Sequence, residues 1–160
     1  MSTVRVCVLG LGGGGFAWEA QKIVSSVRRP LELVLVFSGP RGGLKYFFSD
    51  HQVVGSYDIR SPALTGDRTL GQVRVLGENV LAAFKIIRKE RPDVVLAVGT
   101  AQAIPWALAA RVLHCPIWYA ESVTRVRTPS RTARIMQSLA TRNYFFWREL
   151  PLTGMCMEDA

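Results

Sequence analysis

Two places in the chain combine residue type and spacing in a way that suits chemistry on an anion. The first is the run Val8-Leu9-Gly10-Leu11-Gly12-Gly13-Gly14-Gly15-Phe16-Ala17-Trp18-Glu19, which parses as G-x-G-x-x-G behind an apolar segment. Backbone left bare by glycine lets a phosphate approach amide N–H groups at a helix start, whose partial positive charge favours it. The second is the interval from Arg111 to Arg148, with seven arginines against one acid, Glu121, so most of the net charge of +8 sits there. Guanidinium groups present planar forks of N–H donors that match phosphate and carboxylate better than lysine does. An anionic partner is expected.

The glycine run fits several uses, and its surroundings narrow them. No Gly-Lys-Ser/Thr follows it, so it is not a phosphate P-loop. A dinucleotide fold wants an acid at the end of the second strand to take the ribose hydroxyls. Glu32 lies at the wrong end of that strand, and the position after Phe37 is Ser38, with Arg41 nearby. A phosphorylated dinucleotide would accept Ser38 and Arg41 in place of the acid, so an NADP-binding Rossmann domain is the alternative reading. A third use is purely structural, a tight turn with close helix packing.

Other classes fall away. The 160 residues, 49% hydrophobic, bury one ordinary core, so a single domain over residues 1–150 with a tail at 151–160 is expected. Cys7, Cys115 and Cys156 are scattered and odd in number, as for reduced thiols, and with His51 and His114 they form no metal spacing. Met1 to Arg5 lead straight into an apolar strand without the parts of a secretory signal. Val94 to Ala110 is uncharged but shorter than a membrane span and broken by Gly99, Gln102 and Pro105. A pI near 10.0 invites a nucleic-acid module, yet neither a basic stripe interleaved with aromatics nor a groove-reading helix is evident. No cofactor, no metal and no nucleic acid is expected.

The elements that must position these residues follow from periodicity. Val4 to Leu9 reads as a strand, Phe16 to Arg28 as a helix stopped by Pro30, and Leu31 to Phe37 as a second strand closed by the turn-like residues 38–43. The pattern is poor from there to about Gln72, an excursion with room for a short strand or two. Val73 to Glu90 reads as a helix with Val73, Leu76, Val80, Leu81, Phe84 and Ile87 on its inner face. Val94 to Val98 is a buried strand, Ala103 to Leu113 a helix, Pro116 to Tyr119 a strand, Pro129 to Thr141 a helix capped by Thr128, and Tyr144 to Trp147 a last strand. Strands alternating with helices imply an α/β, doubly wound parallel sheet of Rossmann-like type, with its ligand crevice beyond the carboxyl ends of the strands.

A further set of residues follows a recognisable order: Pro92-Asp93 before the strand ending at Val98-Gly99, Tyr119-Ala120-Glu121-Ser122 with Arg125-Val126, Thr128-Pro129-Ser130 with Thr132 and Arg134, and Trp147 with Glu149-Leu150. Gly14-Gly15-Phe16-Ala17-Trp18-Glu19 occupies the places of a G-G-H-x-x-E opening. The chain resembles the small, acceptor-side subunit of two-component UDP-sugar glycosyltransferases. One branch is the membrane-recruiting subunit of the N-acetylglucosaminyltransferase that adds the second sugar of N-glycans; the other comprises bacterial capsule and exopolysaccharide relatives. The resemblance spans about residues 4 to 150 and is strongest from Arg91 to Leu150. Phe16 stands where the family, and the related lipid-acceptor transferase of peptidoglycan synthesis, place a histidine. Ala133 replaces a glycine before Arg134, and the amino-terminal transmembrane helix of the eukaryotic branch is not seen.

The resemblance implies the amino-terminal half of a GT-B glycosyltransferase, with a separate subunit supplying the donor-binding half. It implies a polyprenyl-diphosphate-linked sugar acceptor, a place in polysaccharide or glycan biosynthesis, and a cytoplasmic, peripheral location on the inner face of the membrane. Inverting transfer from a UDP-sugar needs a base for the acceptor oxygen and positive charge for phosphates. Glu121, after the strand ending at Tyr119, is the candidate base, with a structural pairing to Arg125 as the other possibility. Gly12, Gly13, Gly14 and Gly15 are expected to admit a phosphate, and Gly99, Thr100 and Ser122 to line the same crevice. Arg125 and Arg127 on the loop, and Ser130 and Arg134 at the next helix, are the candidate diphosphate contacts. Arg131, Arg134 and Arg142 are expected on one side of that helix, with Ile135, Met136, Leu139 and Ala140 on the other.

Overall fold

The computed structural model describes residues 3–39, 44–61, 70–150 and 154–157. Among these, strands and helices alternate: β1 (Val4–Leu11), α1 (Gly14–Ser26), β2 (Leu31–Phe37), β3 (Gln52–Asp58), α2 (Leu70–Glu90), β4 (Val94–Val98), α3 (Ala103–Val112), β5 (Ile117–Ala120), α4 (Arg131–Leu139), β6 (Arg142–Phe145) and β7 (Met155–Cys156). A 3-10 segment, Leu44–Phe48, precedes β3. Every strand pair is parallel, and the sheet order is β3-β2-β1-β4-β5-β6-β7. The Rossmann-like, doubly wound α/β sheet read from the sequence is present.

The continuous apolar runs of β1, β2 and β4 suit strands covered on both faces. Successive side chains point to opposite sides. Val6, Val8, Leu33, Leu35 and Leu96 meet Ala17, Ala20 and Val24 of α1. Cys7, Leu9, Val34, Val36 and Val95 meet Ala83 and Ile86 of α2, Trp106 of α3 and Met136 of α4. One helix thus lies on one face and three on the other. At the amino edge of the sheet, Arg5 holds Glu32 at 2.6 Å, the acid that stands at the wrong end for a ribose. The connections leave β1 and β4 in opposite directions, so the switch point lies beyond Leu11 and Val98.

Several elements differ from the sequence reading. Val73, Leu76 and Leu81 of α2 are 67%, 38% and 63% exposed, and the buried face runs instead through Val75, Asn79, Ala83, Ile86 and Ile87. Asn79 is accepted inside because its side-chain amide donates to the Arg60 carbonyl at 3.1 Å. A polar and a small residue on the true inner face made the neighbouring stripe look more apolar. In α4 the cap is Ser130, not Thr128: its hydroxyl accepts from the Ala133 amide at 3.0 Å. The last long strand begins at Arg142 rather than Tyr144, and Met155–Cys156, in the expected tail, pairs with it. No described helix is long and apolar enough to cross a membrane.

Glycine at position 10 is demanded by the fold. Its φ is +102°, and a Cβ there would lie 2.8 Å from the Val98 carbonyl oxygen. Gly15 sits in the first turn of α1 with open space where its Cβ would be. Gly10→Ala is therefore expected to cost at least about 2 kcal/mol in denaturant unfolding, whereas Gly15→Ala should fall within about 1 kcal/mol of wild type. Equal effects would contradict this assignment.

Candidate functional site

Four glycines in a row lie at the switch point, and they do different jobs. The Gly12 amide donates to the Gly10 carbonyl at 2.8 Å, closing a tight turn. A Cβ on Gly12 would run into the Ser38 hydroxyl, so that glycine exists for packing. Gly13 is the N-cap of α1 with extended backbone, and no side chain caps the helix. A Cβ on Gly13 or Gly15 would meet nothing within 4 Å, and neither has a positive φ. Among the described residues nothing asks for glycine there. With the first-turn N–H groups of a helix lacking intrahelical partners, this bare stretch, with Gly14 between, suits a group approaching from outside.

Across the switch point, Gly99 adopts φ +58°, and its missing Cβ would stand 2.5 Å from the Phe16 ring and 3.2 Å from the Ser122 Cβ. Its amide is taken by the Ala120 carbonyl at 2.9 Å. The Thr100 hydroxyl donates to the Gln102 side chain at 3.0 Å and accepts from the Gln102 amide. Ser38, the residue an NADP reading needs, is buried against Gly12 rather than offered to a ribose phosphate. Arg41 lies outside the described residues.

The segment 121–130 between β5 and α4 carries the arginines. Glu121 is 1% exposed. Its Oε1 accepts from the Ser122 amide at 3.0 Å and from the Tyr119 hydroxyl at 3.4 Å, and its Oε2 accepts from the Ser130 amide at 2.8 Å. Expected at the crevice as a free base, or paired with Arg125, Glu121 is instead a buried clamp on both ends of the loop, and no ion pair joins it to Arg125 among the described residues. Its position directly after a buried strand, with two backbone amides unsatisfied nearby, turned it inward. The Trp147 indole N–H donates to the Val123 carbonyl at 2.6 Å, and the Arg125 amide to the Ser122 carbonyl at 2.9 Å. Arg125, Arg127, Arg131 and Arg134 are exposed at the carboxyl end of the sheet. Arg142 is not with them: it opens β6 at the opposite end, over the Trp118 ring at 5.4 Å. Ile135, expected on the inner side of α4, is 44% exposed.

Glu19, which was not among the site candidates, is a second buried carboxyl beside the crevice. It is 3% exposed on α1, its Oε1 accepts from the Ser122 hydroxyl at 2.8 Å, and its buried Oε2 has no hydrogen-bond partner of good geometry among the described residues. Burial pushes its pKa above the usual carboxylate range; the Ser122 hydroxyl and the Val123 backbone N–H oppose the rise, and the nearby Glu121 adds to it. Burial and Glu121 likewise push the Tyr119 phenol up, which keeps it a donor. The signal in the sequence was an acid flanked by Ala17 and Ala20, three residues after Phe16, on the face that meets the sheet. Among the described residues, no group of three or more His, Cys, Asp or Glu could hold a metal ion.

No protein-family model matches the chain. It is 32% identical over 146 residues, 86% of its length, to the UDP-N-acetylglucosamine–N-acetylmuramyl-(pentapeptide) pyrophosphoryl-undecaprenol N-acetylglucosamine transferase of Methylococcus capsulatus, and 29% identical over 142 residues to that of Coxiella burnetii. It spans 39% and 37% of those two proteins. Among solved structures it superimposes on Acinetobacter baumannii MurG with a TM-score of 0.70 at 18% identity, covering 96% of this chain and 45% of that one. Neisseria meningitidis UDP-GlcNAc 2-epimerase, bound to UDP-GlcNAc, gives 0.65 at 15% identity over 92% of this chain and 41% of that one. The fold is that of the amino-terminal half of MurG, a GT-B fold.

The two glutamates respond differently to the same change. In Glu121→Gln, an amide NH2 faces backbone N–H donors, and a loss of about 1–3 kcal/mol is expected together with faster hydrogen exchange across residues 121–130. A carboxyl with a raised folded-state pKa costs stability as pH climbs above the unfolded value, near 4.3, and the cost levels off above the folded value. Glu19→Gln should therefore match wild type near pH 4 in thermal unfolding and exceed it by a margin that grows as pH rises above the unfolded value and then levels off. A gain that shrinks as pH rises would contradict the inward, uncompensated placement of Glu19.

Proposed function

We propose that this chain is the acceptor-side half of a two-component UDP-sugar glycosyltransferase, working with a separate donor-binding subunit. In this reading residues 1–150 form the acceptor-side domain, and the acceptor is a sugar linked to a polyprenyl diphosphate. Its diphosphate lies between the start of α1, at Gly13, Gly14 and Gly15, and the loop bearing Arg125 and Arg127, with Arg134 close to the loop's end. Gly12, Gly99 and Thr100 shape the floor between them, while Ser122 and Ser130 hold the loop. The carrying observation is the start of α1, which among the described residues has no side-chain cap and holds two glycines that answer no packing need, with guanidinium groups on the neighbouring loop. The names of the curated relatives, transferases acting on a pyrophosphoryl-undecaprenol acceptor, support a lipid diphosphate as the ligand.

In the transfer, the acceptor oxygen bonds to the anomeric carbon as the bond to UDP breaks; the nucleoside diphosphate leaves with the bonding pair, and the acceptor hydroxyl passes its proton to a base on the donor-binding subunit or to water. The chain's own share is position and charge. Arginines fix the acceptor diphosphate, and Glu121 keeps them in place through the loop rather than by taking the proton. The exposed Val126 and Ile135, 43% and 44% accessible, stand among Arg125, Arg127, Arg131 and Arg134. A surface that mixes arginines with bare aliphatic groups suits an anionic bilayer, which supports the reading that the subunit works on the inner face of the membrane and recruits its partner there.

Two outcomes are expected. With the donor-binding subunit, a UDP-sugar and a polyprenyl-diphosphate acceptor, Arg125→Glu with Arg127→Glu should lower kcat/KM by roughly a hundredfold, as for the loss of two charge-assisted phosphate contacts. Undiminished turnover would remove the arginines from the site. In liposome flotation, the isolated chain should rise with vesicles containing acidic lipid and stay down with neutral ones; identical behaviour would remove the membrane from the reading.

A further inference from the structure

Glu19 presents a problem that its surroundings do not resolve in the ionised state. The carboxyl is buried, one oxygen is engaged by the Ser122 hydroxyl at 2.8 Å, the Val123 backbone N–H is the one further donor near the carboxyl, and the second oxygen has no hydrogen-bond partner of good geometry among the described residues. No lysine or arginine compensates it among the described residues. On α1 itself, Lys22 is turned over the Trp18 ring at 5.7 Å. From β5 and its loop the facing groups are a second carboxylate, Glu121, the Ser122 hydroxyl and the Val123 backbone N–H; Arg125, on the same loop, is exposed. The β4–α3 connection, Gly99-Thr100-Ala101-Gln102, carries no charged side chain. A buried, unpaired negative charge is costly, and a neutral carboxyl keeps the Ser122 bond without that cost.

Ser122 ties this carboxyl to the rest of the loop. Its hydroxyl donates to Glu19, interacts with the Thr124 hydroxyl at 3.0 Å and accepts from the Thr124 amide at 3.3 Å. The contact joins residues 103 positions apart, α1 on one side of the crevice and the arginine-bearing loop on the other. It is a cross-crevice pin. Under the reading of the preceding subsection, on which this inference rests, an anionic diphosphate settles between those same two elements. An ionised Glu19 would then add a like charge beside the ligand.

We propose that Glu19 is a positioning residue that works in its protonated form, pinning the arginine-bearing loop to α1 through Ser122 while leaving the crevice free of a second buried negative charge. Binding of a diphosphate then favours the protonated form further, so the complex takes up protons at this residue. Burial, which raises the carboxyl's affinity for a proton, acts in the same direction.

The test is calorimetric titration of the purified chain with geranyl diphosphate, in buffers of different ionisation enthalpy, between pH 6 and pH 8. In wild type, affinity should fall by about tenfold over that range beyond the change due to the ligand's own titration, with net proton uptake. Glu19→Ala should bind weakly at every pH. Glu19→Gln, which keeps the shape and the neutral charge, should restore binding and show neither the extra pH dependence nor the extra uptake. Ser122→Ala should weaken binding yet keep the pH dependence, because Glu19 remains. If Glu19→Gln binds as poorly as Glu19→Ala, or keeps the wild-type pH dependence, the inference fails and the acceptor reading stands. If wild type binds no geranyl diphosphate at any pH, both fail.

Discussion

The clamp on the β5–α4 loop is the constraint on which the site depends. A stretch of ten residues, 121 to 130, leaves the carboxyl edge of the sheet carrying amides that have no strand or helix to satisfy them. Glu121 meets this need at both ends of the loop, through Ser122 and Ser130, and Glu19 reaches across from α1 to hold the Ser122 side chain. Trp147 holds the middle at the Val123 carbonyl. Burying two carboxyl groups near one another is unfavourable in itself, and it is offset by the donors that surround Glu121 and by the Ser122 hydroxyl at Glu19, whose affinity for a proton burial raises. What the arrangement yields is a fixed base for Arg125 and Arg127. A guanidinium on a frayed loop loses most of its binding energy to ordering, whereas one on a pinned loop does not.

The glycine run follows the same logic from the other wall. Gly10 and Gly99 are dictated by positive φ and by the near approach of Val98 and Phe16, so they serve the closeness of β1 to β4 and of α1 to the sheet. Gly12 serves the contact with Ser38. Gly13 and Gly15 meet no packing need among the described residues, and glycine in a first helical turn weakens the helix it begins. A fold that keeps such residues where alanine would fit has kept the backbone accessible. Sequence pattern, strand order and crevice therefore converge on one edge of the sheet, where the switch point, the bare helix start and the arginine loop meet.

Much of the fold was legible because strands of a parallel sheet are continuous apolar runs and the helices between them are periodic. The sheet, its order class and the crevice follow from Val4 to Leu9, Leu31 to Phe37 and Val94 to Val98. What was misread has a common cause, tertiary contacts that overrule local pattern. Asn79 is buried because a distant carbonyl, that of Arg60, receives its amide. Ser130 rather than Thr128 caps α4 because its amide is held by Glu121. Arg142 left the expected basic face once β6 began two residues early. At the site, the loop arginines and glycines were visible as types and spacing. The inward turn of Glu121 and the buried place of Glu19 were not, since both depend on which amides and hydroxyls the folded crevice brings within reach.

An acceptor half of a cleft holds a phosphate-binding edge without a complete nucleotide-sugar pocket, and that distinction is open to direct measurement. Backbone amide shifts of the purified, isotopically labelled chain can be followed while a short-chain polyprenyl-diphosphate-linked N-acetylglucosamine is added, and separately with UDP-N-acetylglucosamine. Expected are saturable shifts at Gly13, Gly15, Arg125 and Arg127 with the lipid diphosphate, and none at these residues with the nucleotide-sugar. Saturable binding of UDP-N-acetylglucosamine by the chain alone, with the lipid diphosphate inert, would contradict the assignment of this fold to the acceptor side.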